Sequence, residues 1–186
     1  MGRIHKNFKC IVAAFLMSVM YSVPAGAQSD ELDRLFSELA NPKQQGWKVI
    51  EESIWREWSK SGSAAMDLLL QRGRKAMEAG ETDIAIEHFT ALVDHAPDFA
   101  EGWNARATAY FSAGLYGPSI QDIRTTLDLN PRHFGALSGL GIILDELGYE
   151  EEALNAYREV KKLHPNRPNV DDAIERLEKQ VLGSTL

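Results

Sequence analysis

The sequence predicts an all-α fold, an α-solenoid in which helix-turn-helix units stack and a C-terminal helix caps the stack. Three observations support this: a 34-residue internal repeat, apolar residues at helical spacing, and glycine and proline at fixed places in each repeat. One such unit cannot bury its own apolar face, so neighbouring units must pack together. The composition, 44% hydrophobic and 25% charged residues, is that of a globular chain.

The first 27 residues are predicted to be a cleaved secretory signal. Three basic residues and no acidic residue precede an apolar stretch at residues 10–23, and the small residues Ala25 and Ala27 follow. A membrane anchor is the alternative, but this stretch is shorter than the roughly 20 residues that span a bilayer. We expect cleavage between Ala27 and Gln28, export, and no membrane insertion of the mature chain.

The charge balance excludes some classes of partner. The chain has 20 Lys and Arg against 27 Asp and Glu, a net charge of −7, and the loss of three basic residues with the signal makes the mature chain still more acidic. Nucleic-acid binding needs basic patches, so we expect no nucleic-acid partner. The only cysteine, Cys10, lies in the predicted signal. A mature chain without disulfides fits the bacterial periplasm.

The internal repeat occupies residues 66–167 as three rows, 66–99, 100–133 and 134–167. Each row has glycine at position 15, proline at position 32, small residues at positions 8 and 20, and large apolar residues at positions 4 and 24. Glycine tolerates the left-handed conformation in which a first helix ends, and proline stops the second helix. Small residues allow the two helices to approach closely. Each row therefore predicts a helix-turn-helix unit.

Two further segments flank the rows. Residues 168–186 predict a capping helix and tail, because their apolar residues share one helical face. Residues 28–65 predict a helical hairpin. Moving the repeat back by 34 residues puts Gly46 at the glycine position and Trp55 at a large apolar position, but Leu39 at a small one. Both a degenerate repeat and an unrelated hairpin remain open.

Nothing in the sequence predicts an enzyme, a cofactor or a metal site. His88 and His95 are seven residues apart without a third ligand beside them, which makes them a poor metal site. Phosphate-binding glycine motifs are missing, and Ser138 lies in a predicted helix rather than at the strand-to-helix turn of a nucleophile elbow. We therefore expect a protein that is not an enzyme.

The three rows resemble the tetratricopeptide repeat, whose helix-turn-helix units carry small and large residues at these offsets. The resemblance covers residues 66–167 and implies that the first helices of successive repeats line a concave groove for a peptide or helix of another protein. The implied groove residues are Leu70, Arg74 and Met77 in the first row, Asn104, Thr108 and Phe111 in the second, and Ser138, Ile142 and Asp145 in the third.

One well-known branch of that family binds chaperones by holding a terminal carboxylate with basic and asparagine residues. Of the matching positions here, only Arg74 is basic, so this carboxylate clamp is absent. The matching residues are Leu70, Arg74, Ala105, Gly135 and Gly139. The resemblance thus implies a periplasmic scaffold or adaptor that binds another protein, serving cell-envelope assembly or integrity. The alternative is a periplasmic chaperone-like subunit for a secreted or outer-membrane client.

An ion pair is predicted inside the middle repeat. Arg106 at position 7 flanks the small residue of the helix pair, so we expect it to be at least half buried, and a buried guanidinium needs a carboxylate. Asp122 is the acidic residue that the helix-turn-helix geometry brings opposite. In the alternative interpretation, Arg106 extends into the groove and holds a ligand carboxylate.

Overall fold

The computed structural model describes residues 25–41, 43 and 45–184, and in that part of the chain all regular structure is α-helical. This confirms the all-α prediction. The helices are α1 (Ala25–Leu39), α2 (Trp47–Trp58), α3 (Ala64–Glu78), α4 (Thr82–His95), α5 (Ala100–Ser112), α6 (Tyr116–Leu129), α7 (Phe134–Glu146), α8 (Glu150–Leu163) and α9 (Val170–Ser184). The basic and apolar parts of the predicted signal lie outside the described residues, and its expected cleavage site falls in the first turn of α1.

The three predicted rows correspond to the helix pairs α3–α4, α5–α6 and α7–α8. The turn inside each pair contains the position-15 glycine in a left-handed conformation, with φ of 76° at Gly80, 72° at Gly114 and 79° at Gly148. A residue with a Cβ atom is strained in that conformation, which explains why glycine ends each first helix.

Small residues at position 8 bring the two helices of a pair together. A Cβ atom at Gly73 would lie 2.3 Å from the ring of Phe89, and one at Gly141 would lie 3.0 Å from the ring of Tyr157. Positions 8 and 24 therefore touch, and a larger residue at position 8 would push the helices apart. In the middle pair, Ser119 at position 20 donates a hydrogen bond from Oγ to the carbonyl oxygen of Ala107, at 2.8 Å.

The N-terminal hairpin, α1 and α2, packs far from its neighbours in sequence. Its buried side chains Phe36, Ile54 and Trp58 belong to one core with Phe134 of α7 and Leu177 of α9. The core of the first repeat, built by α3, α4 and α5, is a separate cluster without hairpin residues. The hairpin thus lies against the end of the solenoid that α7, α8 and α9 form.

Helix α2 runs along the solenoid from the first repeat to the cap. Near its C-terminus, Ser59 Oγ accepts a hydrogen bond from Arg74 of α3 at 3.0 Å. One turn earlier, the ring of Trp55 is 5.5 Å from that of Phe134. Near its N-terminus, Glu51 Oε1 accepts a hydrogen bond from Arg167 Nη1 at 2.6 Å. A repeat stacked on α3 would not reach Phe134 or Arg167, so the hairpin does not pack as a repeat does.

Gly46, which precedes α2, has a φ of 85° and so shares the turn conformation of the repeat glycines. The hairpin therefore resembles a repeat in its turn and differs from one in where it packs.

Among the described helices, none is both long and apolar enough to cross a membrane.

Candidate partner-binding groove

A cavity of about 270 Å³ opens between α5 and α7, the first helices of the second and third repeats. The residues around it are Asn104, Thr108 and Phe111 of α5, Ser138, Gly139 and Ile142 of α7, and Arg167 after α8. We call this cavity and these seven residues the inner groove. Five of the nine groove residues that the family resemblance implies are thus brought together.

The floor of the inner groove is apolar. Ala107, Ile123 and Ile143 form it, and all three are buried in the core between the second and third repeats. At the mouth, the side chain of Ile142 is 40% exposed, and Phe111 stacks on Tyr116 with ring centroids 5.7 Å apart. An apolar floor with an aromatic and an aliphatic side chain at the mouth suits an apolar side chain of a ligand.

Polar groups lie along the rim of the inner groove. Ser138 Oγ donates to the carbonyl oxygen of Phe134 at 2.7 Å and accepts from Arg167 Nε at 3.0 Å. Thr108 Oγ1 donates to the carbonyl oxygen of Asn104 at 3.0 Å. The Asn104 amide offers both a donor and an acceptor, which is what the backbone of a bound peptide requires.

The first-row residues lie elsewhere. Leu70 is only 2% exposed and packs in the core of α3, α4 and α5. It is therefore not available to a partner, in contrast to the groove position that the family resemblance implies. Met77 packs against the same core. Arg74 Nη2 donates a hydrogen bond to Glu101 Oε1 at 2.5 Å, and Arg74 Nη1 donates one to Ser59 Oγ. The end of α2 thus lies against the part of α3 where the groove would have continued.

Asp145, the last implied groove residue, lies away from the cavity. Its carboxylate forms an ion pair with Arg176 of α9. The hydrogen bond that Arg176 donates to Asp145 raises the pKa of the Arg176 guanidinium, which therefore stays charged. This contact ties the cap helix to α7, so Asp145 has a structural partner within the chain.

A buried acidic residue organises the edge of the inner groove. Glu101 is buried and accepts hydrogen bonds from Arg74, from Asn104 Nδ2 at 3.2 Å, and from His133 Nε2 at 3.0 Å. His133 Nδ1 accepts a hydrogen bond from the backbone N–H of Ala136, which caps α7. Since one ring nitrogen accepts, the other must donate to Glu101, so this arrangement uses the neutral imidazole.

Sequence reasoning missed the part that α2 and Arg167 play. Arg167 is at position 34 of the third row, where the second row has His133, and the resemblance assigned the groove to first helices only. Its guanidinium lies over the ring of Phe134, 5.2 Å from the ring centre, and also binds Glu51. Because Glu51 and Arg167 are 116 residues apart, no local pattern could have paired them.

Arg106 and Asp122 lie together outside the inner groove. Their ion pair joins α5 to α6, and neither residue lines the cavity. In the described part of the chain, no group of three histidine, cysteine, aspartate or glutamate side chains could hold a metal ion.

Comparison with known proteins identifies the repeat. A family model described as tetratricopeptide repeat matches residues 70–121. A TPR repeat-containing protein of Rhizobium etli is 34% identical over 161 residues, which cover 86% of this chain and 79% of the relative. Small glutamine-rich tetratricopeptide repeat-containing protein 2 of Saccharomyces cerevisiae is 29% identical over 72% of this chain, but the match spans only 38% of the yeast protein.

Solved structures show the same architecture. The first TPR of Spaghetti (RPAP3), bound to the HSP90 peptide SRMEEVD, is 26% identical with a TM-score of 0.61, over 63% of this chain and 93% of that domain. The crystal structure of MamA is 22% identical with a TM-score of 0.59, over 73% of this chain and 83% of MamA, a likeness of fold alone. The repeat, the helix pairs and these relatives agree, and the chain belongs to the tetratricopeptide repeat family.

Proposed function

We propose that this protein is a periplasmic scaffold or adaptor, not an enzyme, that binds a segment of another protein in the inner groove. The observation that carries the proposal is the cavity between α5 and α7, since its lining joins apolar contact surface with the Asn104 amide. The peptide seen on the first TPR of RPAP3 supports the choice of a peptide ligand by family likeness.

The proposed ligand differs from that of a carboxylate clamp. Gly135 and Gly139 stand at clamp positions, and Arg74 is already paired with Glu101. The cavity instead suits an apolar side chain between Phe111 and Ile142, with the ligand backbone held by polar groups of the rim. An extended segment carrying one large aliphatic or aromatic residue is the ligand that this lining favours.

A pair of matched isoleucines tests the location of the binding surface. Ile142 lines the inner groove and Ile84 lies on α4 outside it, and the two are 40% and 44% exposed. A photo-crosslinking amino acid placed at either position in cells that produce the full chain should form a partner adduct from position 142 only. Adducts from position 84 alone, or equal adducts from both, would move the binding surface elsewhere.

Affinity provides the second measurement. With the crosslinked partner purified, Ile142→Lys should weaken binding by about tenfold or more, because it puts a charge at the mouth of an apolar cavity, and Ile84→Lys should leave binding unchanged. Asn104→Ala combined with Phe111→Ala should weaken it similarly while helicity by circular dichroism is retained. A partner that is a folded envelope component supports the scaffold, whereas several unfolded clients support the chaperone-like alternative.

Export is part of the proposal and has its own test. The order of basic, apolar and small residues before Gln28 supports cleavage by a signal peptidase. Mass spectrometry of the native protein should find an N-terminus at Gln28 in the periplasmic fraction. An uncleaved product in the membrane fraction would contradict export as a mature chain.

A further inference from the structure

We propose that a second docking site lies on the outside of the solenoid, between α6 and α8, and that it takes an amphipathic helix of a partner protein. This outer groove has a volume of about 830 Å³ and a floor of four leucines, three from α7 and one directly after it. We define it by Leu137, Leu140, Leu144 and Leu147, with Tyr149 and Ala156 of the α8 side. The outer groove shares no lining residue with the inner groove, so this proposal can be tested independently of the function proposed above.

The four leucines form a stripe that is spaced as on one face of a helix. They follow one another at intervals of three, four and three residues, and span about 15 Å at the helical rise of 1.5 Å per residue. At one end of the stripe, Leu147 is 44% exposed and Tyr149 is 54% exposed. Adjacent exposed apolar side chains of this size mark contact surfaces, and tyrosine is often an energetic anchor in them.

The neighbouring repeat shows that this groove is not a requirement of the fold. At repeat position 7, α5 has Arg106 where α7 has Leu140, and at position 23, α6 has Asp122 where α8 has Ala156. In the middle repeat the two charged side chains pair at 2.7 Å, and the ring of Trp103 lies 4.9 Å from the guanidinium. The same two positions are apolar in the third repeat, where they face an open cleft.

The charges beside the outer groove indicate what fits it. The α8 side has Glu152 and Glu159, and the α6 side has Arg124. Glu159 also accepts a hydrogen bond from the exposed Lys162 at 2.5 Å, which leaves Glu152 as the stronger attraction for a cation. A helix of about three turns with an apolar stripe, basic residues on one flank and acidic residues on the other would complement both sides.

A helix is favoured over an extended strand for a geometric reason. The groove is bounded by two helices and floored by a third, so its ridges and furrows are those of helix surfaces. Helices pack by fitting the ridges of one into the grooves of another. An extended strand would leave its backbone hydrogen-bonding groups unpaired against an apolar floor.

Synthetic peptides of about 18 residues test the proposal against the full mature chain. The probe is a helical peptide with leucines at the spacing of the α7 stripe, lysines on one flank and glutamates on the other; the control peptide has glutamates on both flanks. Fluorescence anisotropy should show that the probe binds at least about threefold more tightly than the control at low salt, and that high salt removes the difference.

Variants tie the binding to the outer groove. Leu140→Arg with Ala156→Asp copies the polar pair of the middle repeat and should weaken the probe by about tenfold or more while circular dichroism stays unchanged. Should that variant not fold, Tyr149→Ala, which truncates an exposed side chain, should still weaken the probe at least about threefold. Glu152→Lys should weaken it too, and the same change at the exposed Glu87 of α4 should not.

Three results would overturn the proposal. The first is no binding of the probe to the wild-type chain, and the second is equal binding to the Leu140→Arg, Ala156→Asp variant. The third is concentration-dependent dimerisation in sedimentation that the same variant abolishes, since a second copy would then be the occupant. Ile142→Lys should leave the probe unaffected, so loss of the inner-groove function and loss of this site are distinguishable.

Discussion

Arg106 and Asp122 form a bidentate ion pair between α5 and α6, with Arg106 Nε 2.7 Å from Asp122 Oδ2 and Arg106 Nη2 2.9 Å from Asp122 Oδ1. The two side chains are 14% and 4% exposed. The hydrogen bonds that Arg106 donates to Asp122 raise the pKa of the arginine, so its guanidinium stays charged. The aromatic rings of Trp103 and Tyr110 lie beside the guanidinium and shield it from water. This arrangement uses Arg106 within the fold rather than for a ligand carboxylate.

Removing one partner of this pair should destabilise the protein. We expect Asp122→Ala to lower the free energy of unfolding by about 3 kcal/mol, because it leaves a largely buried guanidinium without its carboxylate. Adding Arg106→Leu should restore much of that loss, since leucine occupies the same position in the third repeat. Urea unfolding measures both effects. Asp128→Ala, on the exposed side of α6, is the control, and a double variant no more stable than the single would contradict the pairing.

Two glycines of α7 should respond to alanine in opposite ways. A Cβ atom at Gly135 would lie 2.5 Å from Trp55 Cη2, whereas one at Gly139 would meet nothing closer than Ile123 Cδ1 at 3.7 Å. We expect Gly139→Ala to raise the free energy of unfolding by up to about 1 kcal/mol through helix propensity.

Gly135→Ala should instead lower the free energy of unfolding by about 1 kcal/mol or more, because overpacking against the indole exceeds the propensity gain. It should also change the tryptophan fluorescence, since α2 must shift away from α7. Thermal and urea unfolding compare the two variants directly. A stabilised Gly135→Ala with unchanged fluorescence would show that α2 does not pack against α7 in solution.

Glu51 should make a pH-dependent contribution to the docking of α2. The imidazole of His164 and the guanidinium of Arg167 lower the pKa of its carboxyl group. A carboxyl whose pKa is lower in the folded than in the unfolded state stabilises the fold above the unfolded value, about 4.3, and this contribution is lost as pH falls through the folded value.

We therefore expect Glu51→Gln to be less stable than wild type at about pH 5 and the difference to shrink toward about pH 3. Urea unfolding of both proteins at several pH values measures this. Glu52→Gln, the exposed neighbour on α2, is the matched control and should be close to wild type throughout. A stability difference for Glu51→Gln that stays constant over this range would exclude the pairing with Arg167.

The repeat pattern predicts much of the inner groove, because most of the residues that line it occupy fixed positions within the first helix of a repeat. Asn104, Thr108 and Ser138 were expected in the groove from their places in first helices, and they line the cavity. Leu70 has an equivalent place in the first row but lies in the core. The reason is that exposure depends on what packs against a helix, and Leu70 belongs to the core that α3 builds with α4 and α5.

The sequence by itself determined the helix pairs. Glycine, proline and the small and large apolar residues of each row act within a few turns of one another, so a 34-residue pattern fixes each unit and its packing on the next. Only the tertiary structure decided where the hairpin docks. Trp58 stacks on His133, with ring centroids 4.2 Å apart, although the two residues are 75 positions apart in the chain. Hydrophobic burial is non-directional, so no short sequence pattern specifies which apolar surfaces will pack together. The hairpin therefore docks where it can cover apolar side chains that would otherwise be exposed at the edge of the core.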